Sequence, residues 1–571
     1  MSEILVENLN RLWASLIVDE LCQQGHINFV VSPGMRNAPL LAAIIDHSKA
    51  VLFNGVDERA QAYRALGQTK AAGKASVLVC TSGTAVANYY PALLEAHQSN
   101  HPLIVLSADR PPEMVWGHAN QCLPQQQLFN SDLVANFNLP VPTEEILPNM
   151  LRRQIVSLLN ANRQSPLHIN LPFRGSLDAN GPAPSKSYID LAEKSFGQAS
   201  QLEFSCLKEL TSESIEKLKS IFSNERGLLV VGSLLPWQEK TPLENFCQQF
   251  KGPKYLDVES GLKYQFPLSS GSLPTFDHAE VFNAIDKNPP QYILHLGGKC
   301  VSKHYYRFLE EHPEITLISV NTSSLREDPS AGVNFHIPLA PSTFCAALSA
   351  TFKELNSKDL GLEEVSKAVE KKQQIIENSP ASYPYLTKYI IENFPTDHDL
   401  YIANSTVIRS FDSYAHQDGQ KNIKTLAHRG VSGIEGLISA AFGYAEISKR
   451  PTLLVLGDLS ALHDLSALHQ LTNSKVPLKV IIVNNSGGGI FSLLPIEGKS
   501  ELKEAMIMPH NIKFSPMREV LGLDILEAQN KLSFESGFLK LARSVGPAII
   551  EVFLDNEVNC QIYRQLKTVE L

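Results

Sequence analysis

Residues 453–491 read LLVLGDLSALHDLSALHQLTNSKVPLKVIIVNNSGGGIF, and this stretch decides the fold. Residues 453–456 form a continuous apolar run of strand length, which Gly457-Asp458-Leu459-Ser460 interrupts. A helical stretch follows from His463-Asp464-Leu465, and a second apolar run, 480–483, ends in Asn484-Asn485-Ser486-Gly487-Gly488-Gly489. Two wholly apolar strands joined by a helix predict a βαβ unit in a parallel sheet covered on both faces. A right-handed crossover sets the two strand ends side by side. Asp458 and Asn485, 27 positions apart, therefore meet at the carboxyl edge. A carboxylate, an amide oxygen and a nearby backbone carbonyl form a hard oxygen set suited to Mg²⁺, with positions left for diphosphate oxygens. The glycines allow the backbone to approach phosphates closely.

The same alternation extends outward. Toward the N-terminus, apolar runs at 27–31, 50–56, 76–80 and 103–107 alternate with helical stretches, 58–73 among them. This pattern predicts a parallel sheet with helices on both faces, whose ligands bind at the carboxyl ends of the strands. The polar residues 32–36, Asp57-Glu58, 81–84 and Asp109-Arg110 fall there. Further strands are predicted at 227–232, 292–296 and 315–320, followed by a charged helix near 361–377. Beyond that, strands are expected at 400–403, 452–456, 478–483 and 548–553. The Gly-, Pro- and Ser-rich segment 174–201 reads as a linker. The fold class is thus α/β, with three parallel-sheet domains at 1–180, 200–360 and 380–571.

At 571 residues the chain has room for three to four domains. Its formal net charge of −9 argues against a broad nucleic-acid or anionic-membrane surface. None of the eight cysteines forms a CxxC pair, so neither a zinc nor a disulfide framework is indicated. The N-terminus carries acids and no small-residue cleavage site, which predicts a reduced, cytoplasmic protein. No GxGxxG follows a strand, so a nicotinamide dehydrogenase is disfavoured.

Gly457-Asp458 followed by Asn484-Asn485 resembles the thiamine-diphosphate binding motif. The three α/β units resemble the pyrimidine-binding, middle and diphosphate-binding domains of that superfamily, in that order. Such enzymes require a glutamate that bonds the aminopyrimidine ring and promotes its imino tautomer, and Val56-Asp57-Glu58-Arg59 supplies Glu58. Further strings resemble the 2-succinyl-5-enolpyruvyl-6-hydroxy-3-cyclohexene-1-carboxylate synthase family over essentially the whole chain. They include Ser32-Pro33-Gly34-x-Arg36, Thr81-Ser82-Gly83-Thr84-Ala85-Val86-Ala87-Asn88, Ala108-Asp109-Arg110-Pro111-Pro112-Glu113 and Ala119-Asn120-Gln121. Asn404-Ser405 with Arg409, His428-Arg429-Gly430-x-Ser432-Gly433-Ile434 and the 484–495 stretch complete the set.

The resemblance implies a carboligase that decarboxylates 2-oxoglutarate and adds the four-carbon fragment to isochorismate by 1,4-addition. It implies thiamine diphosphate and Mg²⁺ as cofactors, with Mn²⁺ as an alternative. Glu58 is the catalytic residue it predicts. Ser405, Ile434, Gly457, Asp458, Leu459, Ser460, Asn485, Gly487, Ile490 and Phe491 are implied to bind cofactor, with Asp458, Asn485 and Gly487 on the metal. Ile434 matches the apolar residue that props the cofactor into a V shape, while core packing is the alternative role for Ile490 and Phe491. Arg36, Arg110, Asn120, Gln121, Lys303, Arg409 and Arg429 fall on substrate positions; both substrates are polyanions, which an Arg fork pairs bidentately. The superfamily places active sites between subunits, so a homodimer or homotetramer is expected, with neither nucleic acid nor membrane as partner. Met35, Asn37, Ala38, His428 and Val431 depart from the family pattern, and so does Leu123-Pro124-Gln125. The rivals are another thiamine-diphosphate 2-oxoacid decarboxylase and a non-catalytic homologue.

Overall fold

The computed structural model describes residues 4–202, 209–224, 226–323, 327–352, 354–358, 363–415, 421–498 and 500–569. They form three six-stranded, all-parallel sheets and one small two-stranded pairing. The chain divides into two compact units. One comprises Met1–Cys206, His428–Lys449 and His463–Val476; the other comprises Leu207–Ala427, Arg450–Leu462 and Pro477–Leu571.

The first unit is built on the sheet Val51–Asn54, Asn28–Val31, Val77–Cys80, Ile104–Asp109, Leu167–Pro172, Ala135–Asn138, in spatial order. Asn28–Val31, Val77–Cys80 and Ile104–Asp109 at its centre are short, mostly apolar runs buried on both faces. Phe29, Val31, Val77, Val79, Ile104 and Leu106 share a core with helices Leu9–Gln23 and Ala38–Asp46. The alternate residues Val30, Leu78 and Val105, also fully buried, face the opposite side.

On that unit, helix Glu58–Ala72 crosses helix Leu437–Ser448 with backbone against backbone. A Cβ at Gly67 would lie 1.9 Å from the Ala440 carbonyl oxygen, and one at Gly443 would lie 2.0 Å from that of Arg64. A helix-interior glycine costs about 1 kcal/mol relative to alanine. Here the cost is offset by the approach the missing side chains permit. Beside the crossing, Arg64 Nε donates to Glu446 at 2.9 Å, and Gln68 donates to the same carboxylate at 2.9 Å.

The linker expectation for 174–201 is corrected. Ser185 caps a helix, Lys186–Ser195, whose Tyr188 and Ala192 are buried in the first unit's core. Trp13 Nε1 donates to the Tyr188 hydroxyl at 3.1 Å, and the Asn10 side chain donates to the carbonyls of Arg174 and Ser176. After the helix, the N–H of Gly197 bonds Asp19 and that of Ser200 bonds Glu20. Composition signalled loop, but apolar residues at i and i+4 gave a short amphipathic helix enough to bury.

The second unit holds the other two large sheets. One runs Thr425–Ala427, Asp399–Ile402, Thr452–Gly457, Leu478–Asn484, Ala548–Phe553, Ile525–Ala528. Numbered locally, both this sheet and that of the first unit have the order 2-1-3-4-6-5. The remaining sheet runs Ser272–Leu273, Lys254–Leu256, Gly227–Val231, Tyr292–Leu296, Thr316–Asn321, Val333–Pro338, locally 3-2-1-4-5-6. That is the doubly wound order of dinucleotide-binding folds. The loops at its central crevice bond one another directly, however. Gly298 N donates to Ser233 O at 2.8 Å, and a Cβ on Gly232 would meet the Gly298 carbonyl oxygen at 2.0 Å.

The charged helix appears as Glu363–Asn378; positions 361 and 362 of the expected stretch lie outside the described residues. Seven described cysteines are free, and Cys206 lies outside the described residues. No helix among the described residues is long and apolar enough to cross a membrane.

Candidate active site

In a 2-1-3-4-6-5 sheet the connections leave strands 1 and 3 in opposite directions, opening a crevice between their carboxyl ends where ligands bind. In the second unit those strands are Asp399–Ile402 and Thr452–Gly457. The first leads to Asn404-Ser405 and helix Thr406–Tyr414, the second to Asp458.

Ser405 caps its helix at φ 68°, ψ −130°, a conformation a side chain resists. Such strain costs on the order of 1–3 kcal/mol and collects at functional sites. Arg409 Nη1 reaches back to the Ser405 carbonyl at 2.8 Å.

Asp458 is 2% exposed. Its Oδ1 accepts from Leu459 N at 2.7 Å; its Oδ2 accepts from Asn485 N at 3.1 Å and Gly487 N at 2.9 Å. Burial raises this carboxyl above its ordinary value, opposed by those N–H groups. His510 Nε2 lies 3.4 Å from the same Oδ2. Asn485 Nδ2 donates to Asn556 at 3.2 Å, while among the described residues Asn485 Oδ1 receives only a 3.5 Å contact from the Tyr383 hydroxyl. Gly487, at φ 136°, has no room for a side chain: a Cβ would meet the Ile507 carbonyl oxygen at 2.6 Å. Ser460 is buried below the turn, and Ile490 and Phe491 are half-buried, so neither is a core residue.

A buried carboxylate, an under-used amide oxygen and a glycine backbone fit a hard divalent cation, which would balance the Asp458 charge. No group of three or more His, Cys, Asp or Glu among the described residues could hold a metal, so a site here depends on the amide and carbonyl oxygens. The two asparagines divide their work. Asn484 is structural, tying Glu551 at 2.7 Å to the Ile512 carbonyl at 2.9 Å.

The equivalent crevice of the first unit lies between Asn28–Val31 and Val77–Cys80, beside Ile104–Asp109. Arg36 and Arg110 come together there. Burial, then the neighbouring Arg110, lowers Arg36 below its ordinary value. Arg36 Nη1 donates to the Phe173 carbonyl at 3.1 Å; Arg110 Nη1 bonds the Ser82 hydroxyl and the Gln121 carbonyl. Gln121, at φ 62°, donates to Ser82 O at 2.9 Å. Asn120 is exposed beside it.

The departures from the family pattern have physical roles here. Asn37, fully buried, accepts from Gly34 N at 2.9 Å and donates to Ser32 O at 3.0 Å, fixing the turn before Arg36. Gln125, also buried, accepts from Gly83 N and donates to Asn170. His428 stacks on Tyr63 with ring centroids 5.5 Å apart. Met35 and Val431 are exposed.

Glu58 opens its helix between two anchored neighbours. Asp57 accepts from Ala60 N at 3.2 Å and from the Ser466 hydroxyl at 2.6 Å; Arg59 donates to the His463 carbonyl at 2.9 Å. Asn88 Nδ2 donates to Glu58 Oε2 at 3.3 Å. The segment carrying Arg429 and Ile434 is held by Glu95, whose carboxylate accepts from Gly430 N and Val431 N at 2.8 Å each. Ile434 is exposed there.

The expected residues thus form two groups. Glu58, Arg36, Arg110, Asn120, Gln121, Arg429 and Ile434 lie on the first unit; Ser405, Arg409, Gly457, Asp458, Leu459, Ser460, Asn485, Gly487, Ile490 and Phe491 lie on the second. Lys303, on the second unit, opens helix Lys303–Glu311 in an exposed position on the middle sheet. Ser82, Asn88, Glu95 and His510 had been given no role from sequence. The first two lay inside a quoted motif, and Glu95 and His510 act only through tertiary contact.

The N-terminal TPP binding domain model of thiamine pyrophosphate enzymes matches residues 13–129, and the C-terminal TPP binding domain model matches 413–552. A 2-succinyl-5-enolpyruvyl-6-hydroxy-3-cyclohexene-1-carboxylate synthase of Syntrophus aciditrophicus is 34% identical, over 99% of this chain and 100% of that protein. Synthases of the same name from Chlorobium phaeobacteroides and Chlorobaculum tepidum are 33% and 32% identical, each over 98% of this chain and 97% of theirs. With full-length similarity of this degree, the chain belongs to the 2-succinyl-5-enolpyruvyl-6-hydroxy-3-cyclohexene-1-carboxylate synthase family of thiamine pyrophosphate enzymes.

Proposed function

We propose that this chain is a thiamine-diphosphate-dependent transferase of menaquinone biosynthesis. It decarboxylates 2-oxoglutarate and adds the four-carbon fragment to isochorismate, giving 2-succinyl-5-enolpyruvyl-6-hydroxy-3-cyclohexene-1-carboxylate. The observation that carries the reading is that Arg36 and Arg110, after strands Asn28–Val31 and Ile104–Asp109, lie at one crevice of a net-acidic chain, near enough for the charge of Arg110 to act on Arg36. Two guanidinium forks side by side suit a dicarboxylate better than a monocarboxylate.

Thiamine diphosphate, when bound, supplies the electron sink for loss of CO₂. Asp458, Asn485 and the Gly487 carbonyl would hold Mg²⁺ or Mn²⁺ against the diphosphate, with Gly457, Leu459 and Ser460 framing the turn. Glu58 would bond the pyrimidine ring of the bound cofactor and hold a proton there on its carboxyl group. Ile434, Ile490 and Phe491 exclude water around the reacting atoms, which strengthens every charge interaction there. Arg36, Arg110, Asn120, Gln121, Arg409, Arg429 and Lys303 bind substrate carboxylates and hydroxyls, and Ser405 contacts the cofactor. In this reading 1–180, 200–360 and 380–571 are the pyrimidine-binding, middle and diphosphate-binding domains of a cytoplasmic homodimer or homotetramer with active sites between subunits.

The rival is a decarboxylase of small 2-oxo acids. Release of CO₂ from 2-oxoglutarate and from pyruvate, each with isochorismate present, separates the two. The proposal expects kcat/KM for 2-oxoglutarate at least about 100-fold higher, the scale of a site that loses a paired charge when the second carboxylate is missing. Faster turnover of pyruvate would overturn it.

A further inference from the structure

One group of buried ionisable side chains lies outside the machinery described above. Asp412, 1% exposed, sits on helix Thr406–Tyr414, three positions after Arg409. Its Oδ2 accepts from the Tyr255 hydroxyl at 3.1 Å and from Thr275 Oγ1 at 2.8 Å, and its Oδ1 forms an ion pair with Lys263 Nζ at 3.0 Å. All three partners are buried and belong to the middle sheet or the loops leaving it. Lys263 Nζ also donates to the Pro274 carbonyl at 2.5 Å, so its ammonium is held between the two. Tyr255 is shared with a second buried carboxylate, Asp257, which accepts from Val301 N at 2.6 Å. Two carboxylates thus face one ammonium, and burial together with Asp412 pushes Asp257 up to about 7.

A buried cluster of this kind is an inefficient source of stability, since well-packed apolar residues of similar volume do as well. What it does supply is a single geometry. The element it fixes is short, nine residues, and begins at the strained Ser405. Strained backbone persists only where its surroundings over-determine it. Tyr264 adds a further tie, its hydroxyl donating to the Phe411 carbonyl at 3.2 Å.

We propose that Tyr255, Thr275 and Lys263 are positioning residues for the reaction: they grip Asp412 and so hold helix Thr406–Tyr414 where Arg409 meets the substrate. The middle sheet is then part of the substrate site by leverage, although its own central crevice is closed by backbone contacts. The proposal rests on the reading of Arg409 as a substrate residue.

The test uses the full chain with thiamine diphosphate and Mg²⁺. The double variant Tyr255→Phe, Thr275→Val removes both hydroxyl donors while keeping shape and the Lys263 ion pair. The expected result is a rise of about tenfold in KM for 2-oxoglutarate, a tenth of the loss that a 1 Å misplacement can cause. Cofactor affinity by calorimetry changes far less than KM, because Asp458 and Asn485, which would hold the metal and diphosphate, follow other strands. Added to Arg409→Gln, the double variant costs little further KM, since groups acting through one residue are non-additive. Tyr292→Phe, at another buried middle-sheet tyrosine whose hydroxyl has no hydrogen-bond partner among the described residues, leaves KM unchanged. Should the double variant fail to fold, Thr275→Val alone carries the test with a smaller rise in the same direction. If Arg409→Gln raises KM and the double variant does not, or if the effects simply add, the clamp is overturned and the reading of Arg409 stands. If Arg409→Gln itself leaves KM unchanged, the reading of Arg409 falls and the clamp falls with it.

Discussion

Glu58→Gln should leave the protein folded and able to bind thiamine diphosphate while lowering kcat by about 10³-fold, within the range for loss of a general acid–base group. The substitution keeps an acceptor for the Asn88 amide, now 3.3 Å from Glu58 Oε2, and it leaves the two anchored neighbours untouched. Asp57 still caps the helix and Arg59 still bonds the His463 carbonyl, so the helix start does not move. What is lost is the capacity to hold a proton on the pyrimidine ring. Hydrogen exchange at the cofactor C2 position, followed by NMR, reports this directly and does not depend on the substrate. Exchange slows by a similar factor if Glu58 has the proposed role; undiminished exchange removes it.

Asp458→Asn is expected to abolish the stabilisation that thiamine diphosphate plus Mg²⁺ gives the native chain. At 100 times Kd a ligand adds about 2.7 kcal/mol, a thermal shift of several degrees. Asparagine can still accept from the backbone N–H groups of Asn485 and Gly487 through one oxygen, so the turn survives. It no longer brings a negative charge to the cation, and a hard divalent ion depends on that charge. Differential scanning fluorimetry with cofactor, metal or both is the measurement. A shift in the variant equal to that of the native chain would rule out Asp458 as the metal anchor.

How much of this was legible in the sequence differs from element to element. Most central strands were, because burial on both faces demands unbroken apolar runs: 292–296 and 548–553 match the expected bounds. Leu167–Pro172 is central, but its apolar run is broken by His168 and Asn170 and it was missed. Among edge strands Val51–Asn54 fell within the expected 50–56, but most did not show. Ala135–Asn138, Thr425–Ala427 and Ile525–Ala528 are three or four residues long and mixed in character, since an edge strand contributes less to the core. The equality of the outer sheets' strand order was also hidden, because order is a property of pairing and not of local pattern.

For the candidate site, residues next to strand ends stand out because the parallel-sheet rule says where to look. Asn37 and Gln125 read as departures from a family pattern, yet each closes a turn that the crevice needs. Glu95 was invisible, being 335 positions from the loop it holds. The glycines Gly67 and Gly443 looked like ordinary weak points in helices, and only the crossing explains them.

The central claim is tested most directly by incubating the protein with 2-oxoglutarate, isochorismate, thiamine diphosphate and Mg²⁺, and identifying the product by mass. The account predicts one product containing both skeletons, less one CO₂, formed only when all four components are present. Release of CO₂ without consumption of isochorismate, or equal product formation when pyruvate replaces 2-oxoglutarate, would contradict it.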